Sequence, residues 1–183
     1  MYRHTIAVGA TGMLRAAAVE LAARSKQFTS VARTRGSLSR LDDALRNRAQ
    51  HHPLQLDWSN ADDFLARIQQ HVFGTEPPDL VVAWIHDDQL TLRLALDLAN
   101  SGVAFRFFHI IGSATVNPAE IADSLLDEFD PPANLDYHQV ILGARQSGWR
   151  SRWLTDQEIS AGVLGAIDLL DDQFVVGMLD RYR

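Results

Sequence analysis

The 183-residue chain has no cysteine, which excludes disulfides, thiolate metal sites and cysteine nucleophiles. It is almost as poor in lysine. Of its 17 basic residues 16 are arginines, and Lys26 is the only lysine. Any chemistry that places a lysine ammonium beside a reacting group therefore has one position to draw on. Long apolar runs are absent too: none approaches the ~20 residues of a membrane span. Met1-Tyr2-Arg3-His4 leads straight into a β-rich run rather than a signal peptide. Positive charge is in short supply, and a net charge of -6 argues against general binding to nucleic acid or to an anionic membrane. With 46% hydrophobic and 22% charged residues, the composition fits one soluble domain across residues 1–183, large enough for a full core and expected in the cytoplasm.

The chain has a short apolar run at Thr5–Val8 that enters a glycine turn, Gly9-Ala10-Thr11-Gly12, and then a helical pattern through Ala16–Ala22. A strand, a Gly-x-x-Gly turn and a helix in that order let backbone N–H groups approach a dinucleotide pyrophosphate, and the helix N-terminus adds partial positive charge. The same turn also serves simply to connect a strand to a helix, so the surrounding pattern has to decide. Arg15 stands where a third glycine would fall.

Short β-rich runs alternate with amphipathic stretches along the chain, which predicts a doubly wound α/β fold: a parallel sheet of about six or seven strands, helices on both faces, three layers. Strands are expected at His4–Val8, Phe28–Arg33, Pro53–Leu56, Leu80–Ile85, Ala104–Ile111 and Tyr137–Ala144. The first helix is expected to run to Ser25, the second over Leu38–Gln50 and the third over Ser59–Val72 with Ser59 as its cap. The fourth is expected over Asp88–Asn100. Asn117-Pro118-Ala119-Glu120 reads as a helix start, and Thr155-Asp156-Gln157-Glu158 as a capping box opening a last helix to Leu170.

The end of the second strand reads Val31-Ala32-Arg33-Thr34-Arg35-Gly36-Ser37, with no acidic residue to bind a ribose 2′-hydroxyl. Arg33 and Arg35, with Ser37, suit a 2′-phosphate instead, because guanidinium groups form paired charge-assisted bonds to phosphate oxygens. This favours NADP(H) over NAD(H). With Gly9-Ala10-Thr11-Gly12, Arg33 and Arg35, Leu56-Asp57 and Ser113 in view, the chain resembles the short-chain dehydrogenase/reductase family over Thr5–Ser113, particularly its shorter, atypical members. The resemblance implies a Rossmann fold with the nicotinamide near the carboxyl ends of strands four and five. The implied cofactor set is Gly9, Thr11, Gly12, Met13, Leu14, Arg33, Arg35, Ser37, Asp57 and Trp84. Within it Asp57 corresponds to the family's adenine-contacting aspartate, and Ser113 matches its catalytic serine.

The departures are as informative. Where the family carries Asn-Asn-Ala-Gly, this chain has Ala83-Trp84-Ile85-His86, and no lysine completes a Tyr-x-x-x-Lys pair, since Ile141 stands four residues beyond Tyr137. A substitute set of His86, Ser113 and Tyr137 is expected to face one crevice, with Asn117–Phe129 as a lid. His109 reads as a satisfied core histidine, and His51-His52 lacks a third ligand, so no metal site is expected. Three readings stay open: an NADP(H)-dependent oxidoreductase acting on a small carbonyl or alcohol, a catalytically inactive NADP(H)-binding regulatory or scaffold protein, and an interaction fold whose phosphate site Arg15 blocks. Related folds pair through helices, so a homo-oligomer also stays open, with no interface identifiable.

Overall fold

Strands buried on both faces organise the molecule. The computed structural model describes residues 1–113, 115–147 and 150–179. Its elements in chain order are β1 (Tyr2–Val8), α1 (Arg15–Ala23), β2 (Ser25–Ala32), α2 (Arg35–Leu45), β3 (Gln50–Gln55), α3 (Ala61–Phe73), β4 (Leu80–Ala83), α4 (Asp88–Ala99), β5 (Phe105–Gly112) and α5 (Pro118–Glu128). They continue as β6 (Leu135–Leu142), β7 (Ala144–Ser147), β8 (Arg150–Trp153), α6 (Asp156–Leu169) and β9 (Gln173–Val176). Seven strands form one parallel sheet in the order β3-β2-β1-β4-β5-β6-β9, and β7 and β8 pair as a separate antiparallel hairpin.

Alternate residues of each central strand feed two cores. Ile6, Val8, Val81, Ala83, Phe107 and Ile111 pack with α3, α4 and α5. Ala7, Leu80, Val82, Phe108 and Ile110 pack with α1, α2 and α6. This is the three-layer, doubly wound architecture that the alternation of strand and helix patterns predicts. The Asn117 cap with Pro118 at the first helical position and the Thr155–Glu158 capping box both form as expected. Among the described residues no helix is long and apolar enough to cross a membrane.

Several boundaries move. α1 stops at Ala23, and residues Ser25–Gln27 extend β2, because Tyr2 pairs with Ser25 and draws the chain into the sheet. Lys26 therefore sits on β2 rather than at the end of a helix, still at the amino ends of the strands. α2 ends at Leu45 behind two left-handed residues, Arg46 and Asn47, so β3 begins at Gln50. The cap of α3 is Asn60, whose side chain accepts from the Asp63 amide; the Ser59 amide and hydroxyl are both engaged by Asp57. The β7–β8 hairpin and the edge strand β9 were not expected, since four-residue strands carry too little period to stand out from loops.

Candidate functional site

Strand order reverses between β1 and β4, and a crevice opens outside the carboxyl ends of the strands at such a switch point. The glycine turn lies there. Gly9 has φ 76°, and a Cβ on it would stand 2.6 Å from the Trp84 carbonyl oxygen. Only glycine meets both demands. Gly9→Ala is expected to cost about 1–2 kcal/mol of stability, from left-handed strain and displacement of β4's end, read as a lower urea midpoint. At Gly12 an added Cβ would meet nothing within 4 Å, so the backbone there faces open space. α1 begins at Arg15 without a side-chain cap bond; the Arg15 amide donates to the Gly12 carbonyl at 2.9 Å, and no side chain caps the amides that follow it. The Ser160 hydroxyl of α6 donates to the Met13 carbonyl at 2.8 Å and pins the turn from below, while Leu14 is buried. Arg15 does not close the turn: its guanidinium donates to the Arg40 carbonyl at 3.2 Å, reaching toward α2.

The ends of β2 and β3 carry the next group. Arg33 and Arg35 are both exposed, and the Arg33 guanidinium lies over the Trp58 ring, 5.3 Å from its centroid. Trp58 is absent from the expected cofactor set; its sequence signal is an aromatic directly after Leu56-Asp57. Thr34 caps α2, and the Ser37 hydroxyl donates back to the Thr34 carbonyl at 2.9 Å, so it is engaged in the cap. Asp57 accepts from the Ser59 amide at 3.0 Å. That bond, then the Ser59 hydroxyl and the charge of Arg33, hold its carboxyl below the usual carboxylate range.

Trp84 follows β4 and spans the crevice: a Cβ on Gly112, at the end of β5, would meet its ring at 3.1 Å. His86 is exposed and stands edge-on to Trp84, with ring centroids 5.0 Å apart. The Ser113 hydroxyl accepts from the amides of Thr115 (3.2 Å) and Val116 (3.0 Å), shaping the turn that leads toward α5. Between α4 and α5 a cleft of about 620 Å³ is lined by His86, Asp88, Val116, Glu120 and Ser124 among others. α5 buries Pro118, Ala122 and Leu125 against the sheet, so it forms a fixed wall of this cleft rather than a lid.

Tyr137 is not brought to the crevice. It is the third residue of β6, in register with Phe107, well before the strand's carboxyl end. It is buried between Phe107 and Phe129. Its hydroxyl lies 2.8 Å from His109 Nδ1, and burial raises its pKa. α5, the helix that follows Ser113, contains neither tyrosine nor lysine. His109 is fully buried, and its Nε2 lies 3.0 Å from Asp88 Oδ1 on the cleft wall. His51 pairs with Asp42 and Ser30. Among the described residues no group of three or more histidine, aspartate or glutamate side chains is arranged to hold a metal ion.

No family model matches the sequence, and no curated protein matches it. Solved structures do. A short-chain dehydrogenase from Sphingobium yanoikuyae, solved with NADPH, superimposes with a TM-score of 0.72 at 14% identity, covering 94% of this chain and 87% of that one. A bulky-bulky ketone specific alcohol dehydrogenase from Comamonas testosteroni gives 0.69 at 15% identity over 98% and 89%. An NADH-dependent reductase complexed with NAD gives 0.67 at 16% identity over 96% and 95%. The fold is therefore that of the short-chain dehydrogenases/reductases, a Rossmann-like parallel sheet with, among the described residues, seven strands flanked by six helices.

Proposed function

We propose that the chain is an NADP(H)-dependent oxidoreductase that moves hydride to or from a small carbonyl or alcohol, without a Tyr-x-x-x-Lys pair. The observation that carries this reading is the exposed Arg33 and Arg35 beside a glycine turn whose backbone faces open space at Gly12. The residues present fit a dinucleotide. The Gly9 amide is bonded to the Val31 carbonyl, and the missing Cβ of Gly9 keeps the turn tight. The residues up to Leu14, including Thr11, Gly12 and Met13, offer amides to the pyrophosphate, with the start of α1, which no side chain caps, behind them. Arg33 and Arg35 take the 2′-phosphate, with Ser37 completing the turn they stand on. Asp57, kept ionised, accepts from the adenine amino group. Trp84 lies where the nicotinamide end is expected. Bound there, the dinucleotide supplies hydride chemistry; the protein supplies orientation and a place for the proton. The structural neighbours were solved with NADPH, with NADP and with NAD, which supports a nicotinamide dinucleotide; the choice of NADP(H) within that class rests on Arg33 and Arg35.

A second reading, an NADP(H)-binding regulatory protein without turnover, is favoured by one feature: α5 carries neither tyrosine nor lysine. Titration of NADPH and NADH against tryptophan fluorescence tests both, with Trp58 and Trp84 as reporters. NADPH is expected to quench at concentrations at least tenfold below NADH. Absence of any nucleotide response refutes both readings. Turnover on a panel of aldehydes, ketones and alcohols then separates enzyme from regulator.

A further inference from the structure

The cleft between α4 and α5 has a buried polar chain at its back that no part of cofactor binding uses. His109 lies in the middle of β5, completely inaccessible, with Asp88 on one side and Tyr137 on the other. The Tyr137 hydroxyl also lies 3.5 Å from Gln139 Nε2, and Gln139 Oε1 accepts from Gln173 at 3.0 Å. The directions of these bonds follow from donor capacity. Gln139 Oε1 accepts, so its Nε2 is the amide donor, and it reaches both the Ala122 carbonyl and the tyrosine oxygen. If His109 Nδ1 also donated to that oxygen, the phenolic hydrogen would have no acceptor there. The hydroxyl therefore donates to Nδ1, the ring is neutral, and Nε2–H donates to the Asp88 carboxylate. Gln173, Gln139, Tyr137 and His109 thus form one chain of donors, all aimed at Asp88. Such an arrangement fixes a carboxylate's orientation through a second layer of bonds. A third of the Asp88 side chain remains open, and it lines the cleft.

We propose that Asp88 is the proton acceptor of the cleft, and that His109 and Tyr137 are positioning residues that hold its carboxylate toward substrate. This rests on the oxidoreductase reading above. In the oxidative direction the substrate's O–H bond breaks and its proton passes to Asp88. The carbinol hydrogen leaves with its electron pair as hydride to an oxidised nicotinamide dinucleotide, and the C–O bond becomes a carbonyl. In reduction the protonated Asp88 returns that proton. Because Asp87, Glu120 and Glu128 line the same cleft, the substrate is an uncharged or amine-bearing alcohol rather than a hydroxy acid.

The test has a spectroscopic arm and a kinetic arm. Long-range ¹H–¹⁵N spectra of the histidine rings in the wild-type chain are expected to show His109 protonated at Nε2 only. Tyr137→Phe is expected to shift the Nδ1 resonance while NADPH affinity stays within twofold. A doubly protonated His109, or an Nδ1–H tautomer, overturns the chain of donors. With NADP⁺, 2-propanol and 1-amino-2-propanol are expected to be oxidised at least tenfold more efficiently than lactate. Asp88→Asn is expected to lower kcat at least a hundredfold with KM within threefold, and formate is expected to restore part of the activity of Asp88→Ala. Tyr137→Phe is expected to lower kcat about tenfold without changing KM. Turnover that survives Asp88→Asn overturns the Asp88 assignment and leaves the oxidoreductase reading standing. A wild-type chain that binds NADPH and turns over neither these alcohols nor any member of the aldehyde, ketone and alcohol panel overturns both.

Discussion

Replacing Arg33 and Arg35 together by alanine is expected to weaken NADPH binding about a hundredfold while NADH binding changes by no more than about threefold. The magnitude follows from the bonds at stake. A hydrogen bond to a charged group contributes about 1.5–3 kcal/mol, and two guanidinium groups on one phosphate bring the low end of that range to about 3 kcal/mol, or two decades of affinity. The difference between nucleotides follows because only NADPH carries a 2′-phosphate. Arg33 is the better organised of the two. Its guanidinium rests on the Trp58 ring at 5.3 Å, and a stacked guanidinium keeps its N–H edge free for an oxyanion. Arg35 stands at the first position of α2, where the helix N-terminus favours an anion. Fluorescence titration of both nucleotides against wild type and variant checks this. An equal loss for NADPH and NADH would remove the 2′-phosphate from these arginines.

The framework was readable because it depends on patterns that sequence carries directly. β4 and the end of β5 are apolar on both faces, and only a central parallel strand buries residues that way. Gly9 was legible as a turn residue, and its φ of 76° and close approach to Trp84 are what the motif implies. The cofactor end of the site is local in sequence: one turn, one strand end, one aspartate. Its proton-handling side is not. Asp88, His109 and Tyr137 come from α4, β5 and β6, and the distances of 3.0 Å and 2.8 Å that join them follow from strand register and from the seat of α4 on the sheet. The sequence pattern starts β6 at Tyr137 and so puts that residue at a strand opening. The strand begins at Leu135, and in a parallel sheet its opening residues lie at the end opposite the crevice. A single histidine in an apolar run signals a satisfied core residue, as His109 is, but does not reveal which partners satisfy it.

His4, His52 and His71 form a cluster, with ring centroids 6.5, 6.0 and 5.4 Å apart in pairs, that is expected to make the fold sensitive to acid. At the amino ends of β1, β2 and β3, His4 Nδ1 lies 2.6 Å from the Glu76 carbonyl, and His4 Nε2 lies 2.8 Å from Thr29 Oγ1. The same hydroxyl lies 2.8 Å from His71 Nε2. A carbonyl only accepts, so His4 carries its hydrogen on Nδ1, and Nε2 accepts from the Thr29 hydroxyl. Thr29 in turn accepts from His71 Nε2–H. Protonating His4 puts a second donor against Thr29 and breaks the chain. Burial lowers the pKa of all three rings in the cluster. The charge of His4 and then of His52 helps take His71 down to about 4, while Asp79 and Glu76 oppose the shift at His4 without reversing it. A base whose folded pKa lies below its unfolded value of about 6.5 contributes stability that is complete above that value. As pH falls below 6.5 the unfolded chain takes up protons that the folded chain refuses, and the contribution is lost progressively down to about pH 4. His71 alone accounts for about 2 kcal/mol of this loss after allowance for solvent screening of a half-buried ring, with His4 and His52 adding in the same direction. Urea unfolding at pH 7.5 and 4.5 is expected to show the acid loss shrinking by about 1–2 kcal/mol in His71→Gln, which keeps a donor for Thr29 but has no proton to gain. Carboxylate titration is common to both proteins and cancels in that comparison. If wild type and variant lose stability equally on acidification, the uncharged histidine cluster is not what gives the fold its acid sensitivity.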